Sequence, residues 1–567
     1  MNTLGLFSLL TCVLASSADL ASAQCTTRVS VDSQGTAANW YSGTSQVSRD
    51  GRYVAFESFA WNLALLDANN ALDIFVHDRT TSTTTCASLN PQGVPGNGQS
   101  QGPSLSTDAR FVVFTSTASD LVAADTNGHS DVFVHDRATG TTQLVSVGVG
   151  GAPANADSTS AVISGDGRYV AFASGASNLV STPVSGWHAV YVRDLVTGAT
   201  VLASHTPSGA SGNGSSSLPA ISEDGRYVAF QSAASNLLPE DPDTWTDVFV
   251  FDRATDTLAL ASVSSLGIKG NYASNEPSLS ADGKRVAFLT TSTNLHPQDT
   301  NTWMDAYVHD LATGTTELVG LDSNGLLSNR PISTVSLSPD GGYAVFSTDA
   351  TNLWPLDTDV ELDAFLRDFA AGTTQLVSLK SDGTQANKWC GGASISDFGR
   401  AITLTSGAKL VPEKGDGVTD VFVRDAHCEI ANYCTAKYNS QFCQPSLSSI
   451  GAPAAGGFDH FRVRASLLLP EKMGMLIWSR TRAATPFAGG LLCVAAPIAR
   501  TRAVSTGGDP AVDCSGSLEF AFSPAYLAAQ GVPAGTEVFA QVWSRDPGYA
   551  KPNAVSLSDG LRFVVGP

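Results

Sequence analysis

The chain has 567 residues, with 52 Asp and Glu against 32 Lys and Arg, a net charge of −20, and 43% hydrophobic but only 15% charged residues. That balance excludes a disordered polymer, and the length exceeds what one hydrophobic core supports, so at least two domains are expected. A surface this negative repels phosphate backbones and no Lys/Arg cluster offsets it, which argues against nucleic acid as a partner.

In chain order, residues 1–23 read as a secretory signal: Leu4–Ala18 is apolar or small throughout, and Ala21-Ser22-Ala23 has the small-x-small pattern needed for cleavage. The mature protein is therefore expected outside the cytoplasm, secreted or periplasmic. No later run reaches the ~18 apolar residues of a membrane span.

From residue 24 to 430 the chain repeats itself. Asp50, Asp108, Asp166, Asp224, Asp282, Asp340 and Asp397 form one series, and Asp78, Asp136, Asp194, Asp252, Asp310, Asp368 and Asp425 a second. Both step by 58 residues five times and then by 57. In the second copy four strand-like runs follow one another: Pro103–Ser106, Arg110–Thr115, Asp131–Asp136 and Thr141–Val147. In most copies Asp-Gly joins the first two runs and a short ATG-like turn joins the last two, as tight hairpins require. The middle runs are apolar on both faces, which suits a sheet stacked between two others. Seven units of four antiparallel strands, none able to bury its faces alone, predict an all-β seven-bladed propeller.

The motif S-x-D-G-R-Y-V-A-F, at Ser48–Phe56, Ser164–Phe172 and Ser222–Phe230, followed by D-x-F-V-x-D, resembles the TolB-like propeller repeat, a relative of the WD-type repeat of bacterial periplasmic and secreted proteins. The resemblance covers residues 25–428. This repeat is longer than the usual one, with the extra residues between the second and third strands.

The last copy supplies three strands. Thr27–Gly35 (TRVSVDSQG) matches Gln375–Gly383 (QLVSLKSDG) six periods later, so the segment 26–33 is expected to complete the seventh blade. The same alignment brings Cys25 and Cys428 to two positions of one tight turn, within reach of a disulfide latch.

After residue 430 the period stops. Residues 431–567 hold short β-like runs and Cys434, Cys443, Cys493 and Cys514, predicting a small disulfide-bearing β-sandwich. Nearness in sequence favours pairing 434 with 443 and 493 with 514. CTAKYNSQFCQPS, PFAGGLLCV, DCSG and WSRDPG resemble a C-terminal module of secreted proteins from planctomycete-type bacteria, which implies no activity.

Strand alternation sends every tight turn to one rim of the propeller and every long loop to the other, where a binding site is expected. That rim repeats D-x-[ND]-x-x-x-D as Asp67, Asn69 and Asp73; Asp125, Asn127 and Asp131; Asp241, Asp243 and Asp247; Asp299, Asn301 and Asp305; and Asp357, Asp359 and Asp363. Alternating oxygen ligands suit a hard cation such as Ca²⁺. The same residue types also cap turns by accepting backbone N–H bonds. Trp187, Trp245 and Trp303 share one repeat position on three consecutive blades, where aromatic plates could stack on sugar rings or grip a peptide.

No H-E-x-x-H and no phosphate-binding glycine loop occurs. The expected function is a non-enzymatic scaffold that binds a protein or glycan on its long-loop rim, with Ca²⁺ rigidifying the loops. The alternative is a carbohydrate-active enzyme, a metal-assisted lyase or hydrolase using rim carboxylates.

Overall fold

The structure, a computed structural model, describes residues 26–64, 67–184, 186–355, 357, 359–381, 384–412, 417–425, 431–434, 446–450, 462–487, 490–494, 496–506, 515–533, 536–545, 555–558 and 560–565. Seven four-stranded antiparallel sheets make seven blades of a β-propeller. Blade 1 runs Ser42–Val47, Tyr53–Ser58, Asp73–Asp78 and Thr83–Cys86 from inside to outside, and its order recurs in each blade. The seventh blade consists of Cys390–Ile395, Ala401–Ser406 and Asp420–Asp425, with Thr26–Arg28 as its outer strand. The predicted closure holds in register: Thr27 lies opposite Val423, as Gln375 lies opposite Leu366 in blade 6. Cys25, Cys428, Cys443 and Cys514 lie outside the described residues, and the side chains of Cys434 and Cys493 do too.

Apolar faces of neighbouring blades fuse into shared clusters. Val54 and Phe56 of blade 1 pack with Val421 and Val423 of blade 7, so hydrophobic burial also seals the ring at its joint. Within six blades the second and third strands carry a stacked aromatic pair, such as Phe56 with Phe75 at 5.8 Å and Phe288 with Tyr307 at 6.0 Å between ring centroids. Each pair contributes about 0.5–1.5 kcal/mol beyond its buried area.

Both aspartate series are wired into the tight-turn rim. Asp50 Oδ1 accepts bonds from Ser48 Oγ (2.6 Å) and the Arg52 backbone N–H (3.0 Å), holding the hairpin that Gly51 turns at φ 78°. Arg52 then reaches Asp78 through two parallel bonds of 2.9 and 2.6 Å, and Arg110–Asp136, Arg168–Asp194 and Arg226–Asp252 repeat the clamp. The S-x-D-G-R…D pattern is thus a structural circuit.

Asp397 departs from that reading. Ser396 takes the role of Ser338, since its hydroxyl accepts from Ala401 N–H as that of Ser338 accepts from Tyr343 N–H, which keeps the full period of 58 and puts Asp397 at the position of Pro339. The lost residue falls instead in the long loop before Asp420–Asp425.

Inner strands surround a central channel. Those of blades 2 to 5 are bulged, with Gly102, Ser160, Leu218 and Glu276 in the left-handed region at φ 47–63°. At the tight-turn end the channel narrows to a cavity of about 200 Å³. There Thr107 N–H bonds Gly165 O, Glu223 N–H bonds Ala281 O, Ala281 N–H bonds Pro339 O and Asp397 N–H bonds Arg49 O. Arg49 of blade 1 also spans the axis, pairing with Asp397 at 2.6 Å and with Glu223 of blade 4 at 2.9 Å.

In the C-terminal region the strands Ala431–Cys434, Gly560–Val564, Glu537–Arg545, Met473–Ser479 and Ala499–Arg500 form the main path of a larger sheet, and Ser446–Ile450, Arg462–Leu468 and Gly516–Ala521 form a smaller one. Val463 and Leu518 of the smaller share one buried cluster with Leu476, Trp478 and Val538 of the larger. A short helix, Pro524–Ala529, is capped by Ser523, whose side chain accepts from Tyr526 N–H.

Candidate functional site

The long loops of the propeller are built on the D-x-[ND]-x-x-x-D pattern, and the structure shows what each member does. The middle residue makes a turn by accepting a backbone N–H two residues on: Asn69 from Ala71, Asn127 from His129, Asp243 from Trp245, Asn301 from Trp303 and Asp359 from Glu361. The closing aspartate begins the third strand and is buried in all five copies.

Each of these buried carboxylates receives a nitrogen donor. Where the middle residue is Asn, its own amide supplies it: Asn69 to Asp73 at 2.8 Å, Asn127 to Asp131 at 2.6 Å and Asn301 to Asp305 at 3.2 Å. Where the middle residue is Asp, a donor arrives from the connection to the next blade. Lys269 Nζ lies 2.8 Å from Asp243, 2.8 Å from Asp247 and 3.3 Å from Asp241, and Gln385 Nε2 lies 2.9 Å from both Asp357 and Asp363. Lys269 and Gln385 are equivalent positions two repeats apart; Pro95, Pro153 and Leu327 stand there in the Asn-type copies. The donor moves with the middle residue because a buried carboxylate without one costs several kcal/mol.

Burial still dominates the charge state. It pushes Asp73 and Asp305 up to about 7, with Asp67 and Asp299 respectively adding repulsion, and Asp241 and Asp363 up to about 6. A serine hydroxyl relieves most of the closing carboxylates: Ser88, Ser146, Ser262 and Ser378 donate to Asp73, Asp131, Asp247 and Asp363 at 2.5–2.7 Å. In blade 5 that position is Gly320, and Asp305 Oδ1 has no partner among the described residues. A Cβ on Gly320 would stand 2.4 Å from Ile332 Cδ1, so the isoleucine fills the space the serine vacated.

As cation sites, two of the five sets bring three carboxylates to within 4.8 Å of one another: Asp241, Asp243 and Asp247, and Asp357, Asp359 and Asp363. In the first the Lys269 ammonium sits among the oxygens. The second is spanned by a neutral amide, which leaves its charge uncompensated by any side-chain cation among the described residues. The remaining three sets contain two carboxylates and an amide each.

Above these turns the rim is aromatic. Trp187, Trp245 and Trp303 are all exposed, the first by 55%, and Trp245 and Trp303 stand on the turns made by Asp243 and Asn301. Among the described residues the three rings do not touch one another; Trp245 instead meets Tyr272 edge-on at 5.7 Å. Sequence reasoning missed the rest of the surface. Trp40 and Trp61 pair at 6.4 Å with 54% and 52% exposure, and Tyr41, Tyr272 and Trp389 are exposed as well. Six of the nine tryptophans therefore face solvent from loops of one rim. The signal was present: Trp40 and Tyr272 share one repeat position and Tyr41 and Trp389 another, but the residue type changes between copies.

Three histidines are held within the third strands of the blades. His77, His135 and His309 bond Thr84, Thr142 and Thr316 at 2.8–3.0 Å, and burial lowers their pKa. His129 pairs with Asp157 at 3.3 Å on one blade connection, whereas His188 and His296 belong to the loops of blades 3 and 5. Burial raises the thiol of Cys86, and a protonated thiol is a poor nucleophile.

No family model and no curated protein matches the chain. Solved structures do. TolB from Acinetobacter baumannii matches at 15% identity over 58% of this chain, with a TM-score of 0.34, and the chain spans 63% of its length. The β-propeller domain of the Trilobed protease from Pyrococcus furiosus matches at 10% identity over 68% of this chain and 96% of that domain, with a TM-score of 0.41. Acylaminoacyl peptidase of Pyrococcus horikoshii matches at 11% identity over 78% of this chain and 59% of its own, also with a TM-score of 0.41. TolB is the name attached to the repeat that the S-x-D-G-R-Y-V-A-F motif resembles.

Proposed function

We propose that the protein is a secreted or periplasmic, non-enzymatic scaffold that binds a protein or glycan through the long-loop rim of its propeller. The observation that carries this reading is the collar of exposed aromatic side chains there, including the Trp40–Trp61 pair. Monomeric surfaces rarely expose large contiguous apolar patches, and flat aromatic faces stack on sugar rings and fill pockets of partner proteins. Backbone turns fixed by Asp243 and Asn301 hold Trp245 and Trp303 without help from a partner, so little ordering cost opposes binding. An extracytoplasmic setting agrees with the signal-like start of the sequence, and no helix among the described residues is long and apolar enough to cross a membrane.

Calcium enters this reading at blade 6. Asp357, Asp359 and Asp363 offer three converging carboxylates bridged by an amide, whereas Lys269 already supplies the positive charge in blade 4. A bound cation in blade 6 would rigidify the adjoining loop.

The test is a glycan array and an extracytoplasmic protein pull-down, run with wild type, with Trp40→Ala/Trp61→Ala, and with Trp187→Ala/Trp245→Ala/Trp303→Ala. Binding lost in either variant at unchanged melting temperature supports the proposal. Equal binding by all three proteins, or turnover of a bound polysaccharide by the wild type, overturns it.

A further inference from the structure

Blade 3 breaks the repeat on its outer face. In blades 1, 2, 5 and 6 the outer-strand threonine hydroxyl donates to a carbonyl of the hairpin preceding that blade: Thr84 to Val31, Thr142 to Leu89, Thr316 to Val263 and Thr374 to Leu321. The hairpin is thereby clasped against the outer strand. In blade 3 the equivalent Thr200 instead accepts from Arg193 Nη1 at 3.0 Å. The tip of the hairpin is held by Val149 N–H on Asn178 O at 2.8 Å, as Ser381 N–H on Leu410 O holds the hairpin before blade 7, which Thr26 also clasps through Leu379 O. Gly150, at φ 89°, is peculiar to this hairpin, whereas Gly151 recurs as Gly93, Gly209, Gly267 and Gly325.

A cavity of about 640 Å³ lies between this hairpin and the outer strand, with Arg193 in its lining; clasped blade 1 has one of about 500 Å³ at the corresponding place, lined there by His77. The equivalent arginine of blade 6 shows what Arg193 has lost. Arg367 Nη1 lies 3.0–3.4 Å from the carbonyls of Leu321, Asp322 and Gly372, two of them in the clasped hairpin. Among the described residues Arg193 has one hydrogen bond, to Thr200, and no ion pair. Desolvation lowers its pKa with no carboxylate to offset it. The nearest acid in the lining, Asp256, is committed to His205 at 3.1 Å. Around Arg193 lie the exposed side chains of Val149 and Val201 and the hydroxyls of Ser181 and Thr182.

We propose that this cavity is a binding site for a small organic carboxylate, its head on the Arg193 guanidinium and a short apolar body against Val149 and Val201. The planar fork of an arginine matches a carboxylate in two parallel bonds, and the valines favour a branched hydrocarbon over a hydrated ion. None of the rim aromatics lines this site, so either can fail alone.

The probe is isovalerate, followed by saturation-transfer NMR on the full chain at pH 8, with isovaleramide and inorganic phosphate as comparison ligands. Wild type is expected to bind isovalerate saturably with Kd near 1 mM, the range open to one ion pair and a small apolar contact. The amide is expected to bind about 10-fold more weakly or not at all. Arg193→His is the test variant, because His77, His135 and His309 occupy that position in three other blades with the same threonine bond and therefore show that it folds. It should bind isovalerate at least about 10-fold more weakly at unchanged melting temperature. Equal affinity in that variant, equal affinity for the amide, phosphate binding in preference to isovalerate, or no saturable binding by wild type up to about 50 mM each overturns the proposal.

Discussion

Lys269 offers the sharpest test of how the long-loop rim is held. Its Nζ lies 2.8–3.3 Å from Asp241, Asp243 and Asp247, and the side chains of Asp241 and Asp247 are fully buried while that of Lys269 is 13% exposed. Removing one partner of a buried pair leaves an uncompensated charge, at a cost of about 3–5 kcal/mol. Lys269→Leu should therefore destabilise by about 3 kcal/mol at pH 7, the lower end, because protonation of Asp241, already pushed up to about 6, relieves part of the strain. Asp243 is 44% exposed, so Asp243→Asn alone should cost less than about 1 kcal/mol. The double variant reproduces the blade 5 combination of Asn301 and Leu327, in which the Asn amide reaches the closing carboxylate. It should recover at least about 2 kcal/mol of the loss, a coupling that independent sites do not show. Urea midpoints at constant m measure the cycle, with Trp245 fluorescence as the local probe, since its backbone is bonded to Asp243. Additive losses, within about 0.5 kcal/mol, would refute the claim that amide and ammonium are alternative donors to one carboxylate.

Gly320→Ser should destabilise by about 1–3 kcal/mol through the 2.4 Å approach to Ile332, whereas Gly320→Ser/Ile332→Ser restores the Ser pair of other blades and a donor for Asp305; differential denaturation should show the double variant as the more stable. Arg110 and Arg226 hold Asp136 and Asp252 down at about 2, so stability they confer is present above the unfolded pKa of ~3.9 and is lost as pH falls from there to about 2. Asp305 runs the other way. Burial lifts it to about 7, so its contribution is full below ~3.9 and is lost as pH rises to about 7. The melting temperature should peak near pH 4–5, and Asp305→Asn should flatten the decline toward neutrality; an unchanged slope counts against the assignment. Millimolar Ca²⁺ should raise the melting temperature over EDTA in wild type and not in Asp359→Asn, and equal wild-type melting in both conditions would remove calcium from blade 6.

What could be read in the sequence was whatever repeats with a fixed partner. The register of Thr26–Arg28 in blade 7 followed from one alignment across six periods, because a strand missing from one end of a ring must come from the other. Asp397 was misread by one position because spacing was counted from aspartates, whereas the invariant element is the serine that receives the second strand's first N–H. The acidic pattern is only half legible for a related reason: its carboxylates are close in sequence, but the donor that meets them in blades 4 and 6 lies 22 residues after the closing aspartate, as Lys269 follows Asp247 and Gln385 follows Asp363. A pattern confined to one loop cannot reveal a partner on the next connection. Comparing copies can. Asn at the middle goes with Pro or Leu at the donor position, and Asp goes with Lys or Gln, so the variation between blades encodes a contact that no single blade displays. The rim aromatics escape this logic, since they vary without compensation elsewhere in the fold. A side chain that changes freely from blade to blade while its backbone stays fixed is under no packing constraint from within, which is the property expected of residues that face outward rather than the core.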